Sequence, residues 1–414
     1  MATRILLLTQ WFDPEPTFKG LVFARELVQQ GFEVEVLTGF PNYPGGKLYP
    51  GYGLKWLQRE RIDGVLVTRV PLYPSHDQSA IRRVLNYVSF ATSALLYGLL
   101  GAKRPDVIYA YHPPLTVGIA AVFIRFFRRV PVVYDIQDMW PDTLRVTGMI
   151  SNHRALALVS KVCDWVYRNV DHIVVLSPGF KRLLAERGVA DRKVDVIYNW
   201  CDEASLSSPV GAVPIAFPSC DKFRILFAGN MGKAQALDSV LDAAKLVAQQ
   251  YPQICFVFLG GGLEVEHLKQ DARKNELDNV YFLPAVPMAE VGSMLAEADA
   301  LLVHLKKDPL FRITIPSKTQ AYMAVGKPIL MAVDGDVAEL VKEGKCGVIA
   351  ESQNPESIAA AAIMLFKSDA SVRIAMGESS RTFYQQHLSL SVGVKRFGDI
   401  FRRLSGRASV GGGA

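Results

Sequence analysis

Short apolar runs, separated by longer stretches of helical periodicity, repeat along the whole chain. In the first half the runs fall at residues 4–9, 33–38, 65–70, 106–111, 131–136, 172–177 and 193–198. In the second half they fall at 223–228, 254–259, 279–283, 299–304, 328–332 and 346–350. Many are continuously apolar and β-branched, which suits parallel strands buried on both faces. Their alternation with helix-like stretches predicts βαβ units and doubly wound sheets. Between the two series, Pro209, Gly211, Pro214 and Pro218 interrupt a stretch of little periodicity. The expected fold class is therefore α/β, with two facing Rossmann-like domains and a cleft between them. Residues 1–198 form the first domain, 199–222 the linker and 223–387 the second. A helix at 388–404 is expected to pack back on the first domain, and 405–414 to be a disordered tail.

Length agrees with this division. A single core stops growing at roughly 250–300 residues, and the chain has 414. Charge distinguishes the halves: residues 1–200 carry 24 Lys/Arg against 17 Asp/Glu, and 201–414 carry 22 against 23. A basic first half suits nucleic acid, an anionic bilayer or a phosphorylated substrate. No nucleic-acid-binding signature accompanies it, so nucleic acid is not an expected partner. Cys163, Cys201, Cys220, Cys255 and Cys346 are scattered and odd in number. They read as reduced thiols of a cytoplasmic protein, not as a disulfide framework or zinc site. The N-terminal apolar run is short and soon meets Gln10, Asp13 and Glu15, which fits a first buried strand better than a signal peptide.

In doubly wound folds ligands bind at the carboxyl ends of the strands, so candidate site residues are sought just after each run. After 223–228 comes Gly229-Asn230-Met231-Gly232-Lys233, with a helix expected from about Leu237. Glycines there admit an anion close to the backbone, and Lys233 adds a charge. The same residues also suit an ordinary tight βα turn. Gly260-Gly261-Gly262 follows the next run and is expected to line the same crevice. Neither loop has the dinucleotide or Walker pattern. The stretch from Arg312 to Gln320 is expected to open a helix, with Ser317 capping it and Lys318 and Arg312 near its anion-attracting end. Cations there would stabilise a departing diphosphate. Asp334-Gly335-Asp336 reads as a turn before a helix that begins near Glu339, and no metal is expected there.

In the first half, residues 10–20 form a long loop toward a helix starting near Gly20, able to cover an acceptor together with Lys19. His112 ends one run, placed for hydrogen bonding or proton transfer. Asp138 and Trp140 follow another, and an acid beside an aromatic suits sugar hydroxyls. Asp135 lies within the run and reads as a buried, bonded acid. Residues 81–101 are apolar with Arg82, Arg83, Lys103 and Arg104 at the ends. They approach the ~20 residues of a bilayer span, but Asn86, Ser89, Thr92 and Ser93 dilute them and they lie between two strands of one sheet. A helix on a membrane surface is expected instead, a theme repeated at 123–130. Two core-facing helices are the plainer alternative.

Several motifs together carry a resemblance: Phe40-Pro41-Asn42-Tyr43-Pro44, His112-Pro113-Pro114-Leu115, residues 135–141, 229–232, 315–324 with Gly326-Lys327-Pro328, and 334–340. In this order they resemble family 4 retaining glycosyltransferases of GT-B architecture, closest to the WbuB-type enzymes of bacterial surface-polysaccharide synthesis. The resemblance implies a UDP-sugar donor in the second domain, with no further cofactor. It implies a polyprenyl-diphosphate-linked sugar acceptor in the first, in O-antigen or capsule synthesis at the inner face of the cytoplasmic membrane. WbuB-type enzymes are associated with N-acetyl-L-fucosamine transfer. His112, Asp138 and Lys318 are then the expected catalytic residues, with His112 positioning the sugar. Gly229, Asn230, Gly232, Lys233, Gly261, Arg312, Ser317, Gln320, Gly335 and Glu339 are expected on the donor, and Lys19, Gly20 and Trp140 on the acceptor.

One departure stands out. Where many relatives have two glutamates eight positions apart, this chain has Ile313 and Ala321, leaving Gln320 as a neighbouring substitute for holding ribose. Gln235 stands about where many relatives have lysine. Two other functions fit the same fold: a nucleotide-sugar 2-epimerase, and a non-catalytic nucleotide-sugar-binding assembly protein.

Overall fold

The computed structural model describes residues 2–75, 79–206, 215, 217–218 and 222–406. Half of the expected linker, including Cys220, and the tail from 407 onward lie outside the described residues. The chain divides into two compact units, Met1–Tyr198 with Ser391–Ala414, and Asn199–Leu390.

The first unit holds strands β1 (Arg4–Leu8), β2 (Glu33–Gly39), β3 (Gln58–Ile62), β4 (Val65–Val70), β5 (Val107–His112), β6 (Val132–Ile136), β7 (His172–Val175) and β8 (Val194–Val196). Helices α1 (Leu21–Gln29), α2 (Ala80–Leu100), α3 (Leu115–Arg128), α4 (Asp142–Val146), α5 (His153–Asn169) and α6 (Pro178–Glu186) connect them. The sheet order is β3-β4-β2-β1-β5-β6-β7-β8. Strands β5 and β6 are buried at every position, as apolar runs covered on both faces require.

Strand β3 corrects the all-parallel expectation, because it pairs antiparallel with β4. Its sequence, Gln-Arg-Glu-Arg-Ile, is too charged to read as a buried run. It lies at the sheet edge, where charge discourages pairing with another chain. Arg69 of β4 is buried and holds it, with Nε donating to Glu60 at 2.6 Å.

The second unit holds α7 (Glu203–Leu206), β9 (Phe223–Ala228), α8 (Asp238–Ala248), β10 (Ile254–Leu259), α9 (Val265–Lys274), β11 (Val280–Leu283), α10 (Met288–Glu297) and β12 (Ala300–His304). It continues with α11 (Pro309–Arg312), α12 (Ser317–Val325), β13 (Ile329–Ala332), α13 (Asp336–Glu343), β14 (Gly347–Ile349), α14 (Pro355–Lys367) and α15 (Ala370–His387). Its six strands run parallel in the order β11-β10-β9-β12-β13-β14. Phe256, Phe258, Ile225 and Phe227 pack with Leu241 and Leu365 in its core.

Helix α16 (Leu390–Leu404) belongs to the first unit from Ser391 onward. Phe397 meets Phe23 and Tyr109 at ring distances of 5.3 and 5.5 Å, and Phe401 meets Phe32. Arg403 reaches Asp195 at 3.3 Å. The described cysteines Cys163, Cys201, Cys255 and Cys346 are free and buried.

Candidate active site

Both sheets bring their candidate residues to the carboxyl ends of their strands, and each unit is described by itself. In the second unit the centre is Lys318. It is the second residue of α12, whose cap position is Pro316, with no side chain capping the first turn. Ser317, expected as the cap, is instead the first helical residue: Pro316 takes the extended conformation that a cap requires. The helix start therefore keeps its positive end open.

The Lys318 ammonium is buried and has no hydrogen-bond partner. It lies 3.3 Å from the centre of the Phe227 ring. A Cβ at Gly229 would sit 3.4 Å from it, so the amine hangs over the loop that ends β9. Burial lowers its pKa to about 7, because removing a charge from water disfavours the charged form. An unpaired cation over an aromatic face, at an uncapped helix start, is a site waiting for an anion.

The glycine loops that end β9 and β10 pack against each other. Gly229 N donates to Leu259 O at 2.9 Å, Met231 N to Gly261 O at 2.7 Å, and Gly232 N to Gln235 Oε1 at 3.0 Å. These three amides are spent on partners within the second unit. The glycines let the loops close on each other: a Cβ at Gly260 would lie 2.2 Å from Gly229 O, and one at Gly262 2.2 Å from Met231 O. Gly261 has open space around it and faces solvent. Asn230 and Lys233 are exposed beside it.

The remaining donor-side candidates surround this centre unevenly. Arg312 is exposed and ends the separate short helix α11; it does not open α12, because four residues intervene before Ser317. Gly335 takes φ +89°, and a Cβ there would lie 2.0 Å from Arg312 O, so the two loops need glycine to pack. Glu339 is an exposed residue of the first turn of α13. Gln320 is buried and its amide nitrogen, oriented to satisfy its hydrogen bonds, donates to the carbonyls of Ser317 and Pro316, each at 2.9 Å. Its nitrogen is thus committed to the start of its own helix. Among the described residues, no group of three or more His, Cys, Asp or Glu could hold a metal ion.

Two supports escaped the sequence. Tyr322 Oη accepts from Ala228 N at 2.8 Å and pins the end of β9. Buried His304 holds the loop of Gln235, with Nδ1 2.6 Å from Gln235 O and Nε2 accepting from Gln353 N at 3.2 Å. His304 ends an apolar run and Tyr322 lies within α12, but no local signal shows the partner of either.

In the first unit His112 ends β5. It is buried, its Nδ1 has no hydrogen-bond partner, and its ring meets Tyr134 and Trp140 edge-on at 5.8 and 5.1 Å. Burial lowers its pKa to about 3. A neutral imidazole with a spare nitrogen suits hydrogen bonding to a sugar, and it does not exchange protons near neutrality. Asp138 is half-buried after β6, and burial raises its pKa.

Lys19 corrects an expectation. It is buried, with Nζ 2.7 Å from Asp135 Oδ2. Asp135 also accepts from Tyr109 Oη at 2.5 Å and Gln137 Nε2 at 2.7 Å. A lysine so paired holds strands and loop together and leaves no charge for an acceptor. Gly20 is buried as well and caps α1. A Cβ there would strike Asp13 Oδ2 at 2.2 Å, and that carboxylate accepts from Leu21 N at 2.6 Å. Asp13 therefore occupies the anion-binding end of α1 that an acceptor phosphate would need.

Comparisons with known proteins bear on the family and the fold. The model of the Glycosyl transferase 4-like domain matches residues 21–200, and that of Glycosyl transferases group 1 matches 217–383. The chain is 25% identical over 315 residues to the probable glycosyltransferase WbjE of Pseudomonas aeruginosa, covering 75% of this chain and 77% of that protein. It is 27% identical over 338 residues to the putative colanic acid biosynthesis glycosyl transferase WcaI of Escherichia coli strain K12, covering 78% and 81%. Anabaena HepE, solved with UDP and glucose, superposes with TM-score 0.67 at 16% identity, covering 96% of this chain and 99% of that one. Sucrose-phosphate synthase of Thermosynechococcus elongatus gives TM-score 0.73 at 15% identity, covering 98% and 100%. At such identities the structural likeness speaks for the fold. With two Rossmann-like units, and family models matched in each half, the chain is a glycosyltransferase of the GT-B fold, joining a glycosyl transferase 4-like domain to a group 1 domain.

Proposed function

We propose that this glycosyltransferase binds a UDP-sugar in its second unit and transfers the sugar, with retention, to a polyprenyl-diphosphate-linked acceptor held by the first. The observation that carries the donor half is the buried, unpartnered Lys318 ammonium over Gly229 at the open start of α12. A diphosphate is the ligand such a cation fits, and its charge grows as the sugar leaves. UDP is favoured because HepE is a UDP-bound protein of the same fold. The name of WcaI, a putative colanic acid biosynthesis glycosyl transferase, supports a place in surface-polysaccharide synthesis, such as O-antigen or capsule. The WbuB-type resemblance makes an N-acetylated deoxy-amino sugar, such as N-acetyl-L-fucosamine, the preferred donor sugar.

In the proposed reaction the acceptor hydroxyl attacks the anomeric carbon from the face that the diphosphate leaves. The carbon–oxygen bond to the diphosphate breaks as the new glycosidic bond forms. The acceptor proton passes to the departing phosphate oxygen, and no enzyme nucleophile is required. Neutral His112 orients the sugar through its free nitrogen, with Asp138 and Trp140 beside it. A lipid-linked acceptor keeps the enzyme at the cytoplasmic membrane surface. Calorimetry with UDP, GDP, ADP and NAD tests the donor assignment. Selective binding of UDP is expected. GDP preference would move the donor to another sugar class, and binding of NAD alone would remove the donor reading.

A further inference from the structure

The motif Phe40-Pro41-Asn42-Tyr43-Pro44 follows β2 and supplies none of the residues placed in the proposed reaction. Its neighbour in space is the loop after β1, which carries Trp11. Glu15 joins the two loops: it is buried and accepts from Phe12 N at 3.2 Å and from Asn42 N and Tyr43 N, each at 2.7 Å. Arg69, also buried, donates to Asp13 O at 2.6 Å and to Gly39 O at 3.3 Å. Asn86 of α2 reaches both loops. Its Oδ1 accepts from Gln10 Nε2 at 2.5 Å, and its amide nitrogen donates to Asn42 Oδ1 at 3.3 Å and to Tyr73 O at 2.7 Å. Burying an acid and a guanidinium is costly unless each is bonded, and both are spent here on loop backbone.

The product of this network is an aromatic pair. Trp11 and Tyr43 are half-buried, with ring centroids 4.8 Å apart and planes 32° from parallel. On α2, Arg83 and Tyr87 are four residues apart and share one side of the helix. Both are half-buried, and Arg83 and Tyr43 lie within electrostatic reach of the Tyr87 hydroxyl. Arg69 and Arg125 have the carboxylates of Glu60 and Asp171; Arg83 has no ion-pair partner among the described residues.

These side chains stand at the carboxyl ends of the first sheet. Trp11 follows β1, Tyr43 follows β2 and α2 follows β4, while β1 lies next to β5, which ends at His112. Two strand spacings, about 10 Å, separate the end of β2 from that of β5.

We propose that Trp11 and Tyr43 form the platform on which a sugar ring of the acceptor stacks, and that Arg83 beside Tyr87 receives the acceptor's diphosphate. The C–H face of a pyranose is apolar and weakly positive, the complement of an aromatic face. A guanidinium without a carboxylate partner fits a phosphate. Side chains fixed by a fully bonded layer beneath them are the form of a preorganised binding site. A nucleobase is the poorer occupant, because in the proposed reaction the nucleotide has its place beside Lys318 in the second unit. The inference rests on the lipid-linked acceptor of the proposed function. It gives that acceptor residues in place of Lys19, which is already paired.

The full chain is titrated by calorimetry with UDP, with farnesyl diphosphate, and with farnesyl diphosphate bearing N-acetylglucosamine or N-acetylgalactosamine. Wild type should bind at least one glycosylated lipid more tightly than the bare one. Trp11→Ala and Tyr43→Ala should each weaken that glycosylated lipid about tenfold, the scale of one lost stacking contact, and leave the bare lipid unchanged. Trp11→Phe should keep most of the affinity. Arg83→Gln should weaken bare and glycosylated lipid alike, by about tenfold. UDP affinity and Tm should hold in all four variants. If Trp11→Ala and Tyr43→Ala bind the glycosylated lipid as wild type does, the platform is overturned and the lipid-linked acceptor stands. If Arg83→Gln binds bare farnesyl diphosphate as wild type does, the diphosphate half is overturned. Loss of UDP binding in Trp11→Ala gives the platform to a nucleobase and also overturns the proposal. Wild type that binds UDP but neither glycosylated lipid removes the platform and the lipid-linked acceptor together, and leaves the donor reading intact.

Discussion

Each unit of this enzyme buries a lysine, and the two do opposite things. Lys19 in the first unit touches Asp135 at 2.7 Å, within a network that also engages Tyr109 and Gln137. Lys318 in the second unit touches no hydrogen-bond acceptor and rests over Phe227. Burial lowers the pKa of both, but only Lys19 has a carboxylate pulling the other way. A buried charge that is already paired has been used by the fold. One left unpaired costs stability and is kept for a ligand. Charge and burial alone do not separate a structural lysine from one left open to a ligand; the counter-ion does.

The comparison breaks most sharply at Lys19. Lys19→Met should leave the Asp135 carboxylate buried without its cation and cost about 3–5 kcal/mol of stability, read as a fall in Tm or in the denaturant midpoint. Adding Asp135→Leu should recover most of that loss, since removing both charges removes the unpaired one. If Lys19→Met unfolds no earlier than wild type, the ion pair does not hold the loop.

Lys318→Ala should do the reverse. Tm should hold or rise, because an unpaired buried cation is removed. Turnover of the donor should fall on the order of a hundred- to a thousandfold, the scale of losing one preorganised charge at a developing anion. Equal turnover would sever Lys318 from the reaction.

A smaller effect sharpens the same point through pH. The empty-site pKa of Lys318 is about 7, and a bound diphosphate favours the charged amine. Below pH 7 the ammonium is already formed, so UDP-sugar affinity should be level. Above pH 7 binding must take up a proton, and affinity should fall by about tenfold per pH unit until the pKa of the complex is reached. Calorimetry in buffers of different ionisation enthalpy reads this proton uptake, and Lys318→Ala should abolish it. Affinity that is flat from pH 6 to about 9 would mean that the amine is charged before the donor arrives.

Much of the fold was legible along the chain. Continuous apolar runs such as 254–259 and 300–303 suit covered strands, and their alternation with helical periodicity points to parallel sheets. The exception, β3, was hidden because an edge strand need not be apolar. Lys318 was legible because a proline followed by polar residues marks a helix start. The apolar stripe of α2 was legible too, but not which way it faced. Its direction followed only once Asn86 was seen bonded to Gln10 and Tyr73, which turns the polar residue inward and leaves the leucines outside.

The glycine loops teach the same limit. Their composition fits a phosphate cradle and a pair of tightly packed turns equally well. What the structure adds is the approach of Gly260 to Gly229 and of Gly262 to Met231, between segments joined by a whole βα unit. By itself the sequence determined the strands, the helices and the positions where chemistry sits, because burial patterns and helix signals are local. The tertiary structure alone decided which lysine is paired, which amides are spent and which face is bare. Those depend on groups far apart in the chain meeting within a few ångströms, and no local pattern carries that information.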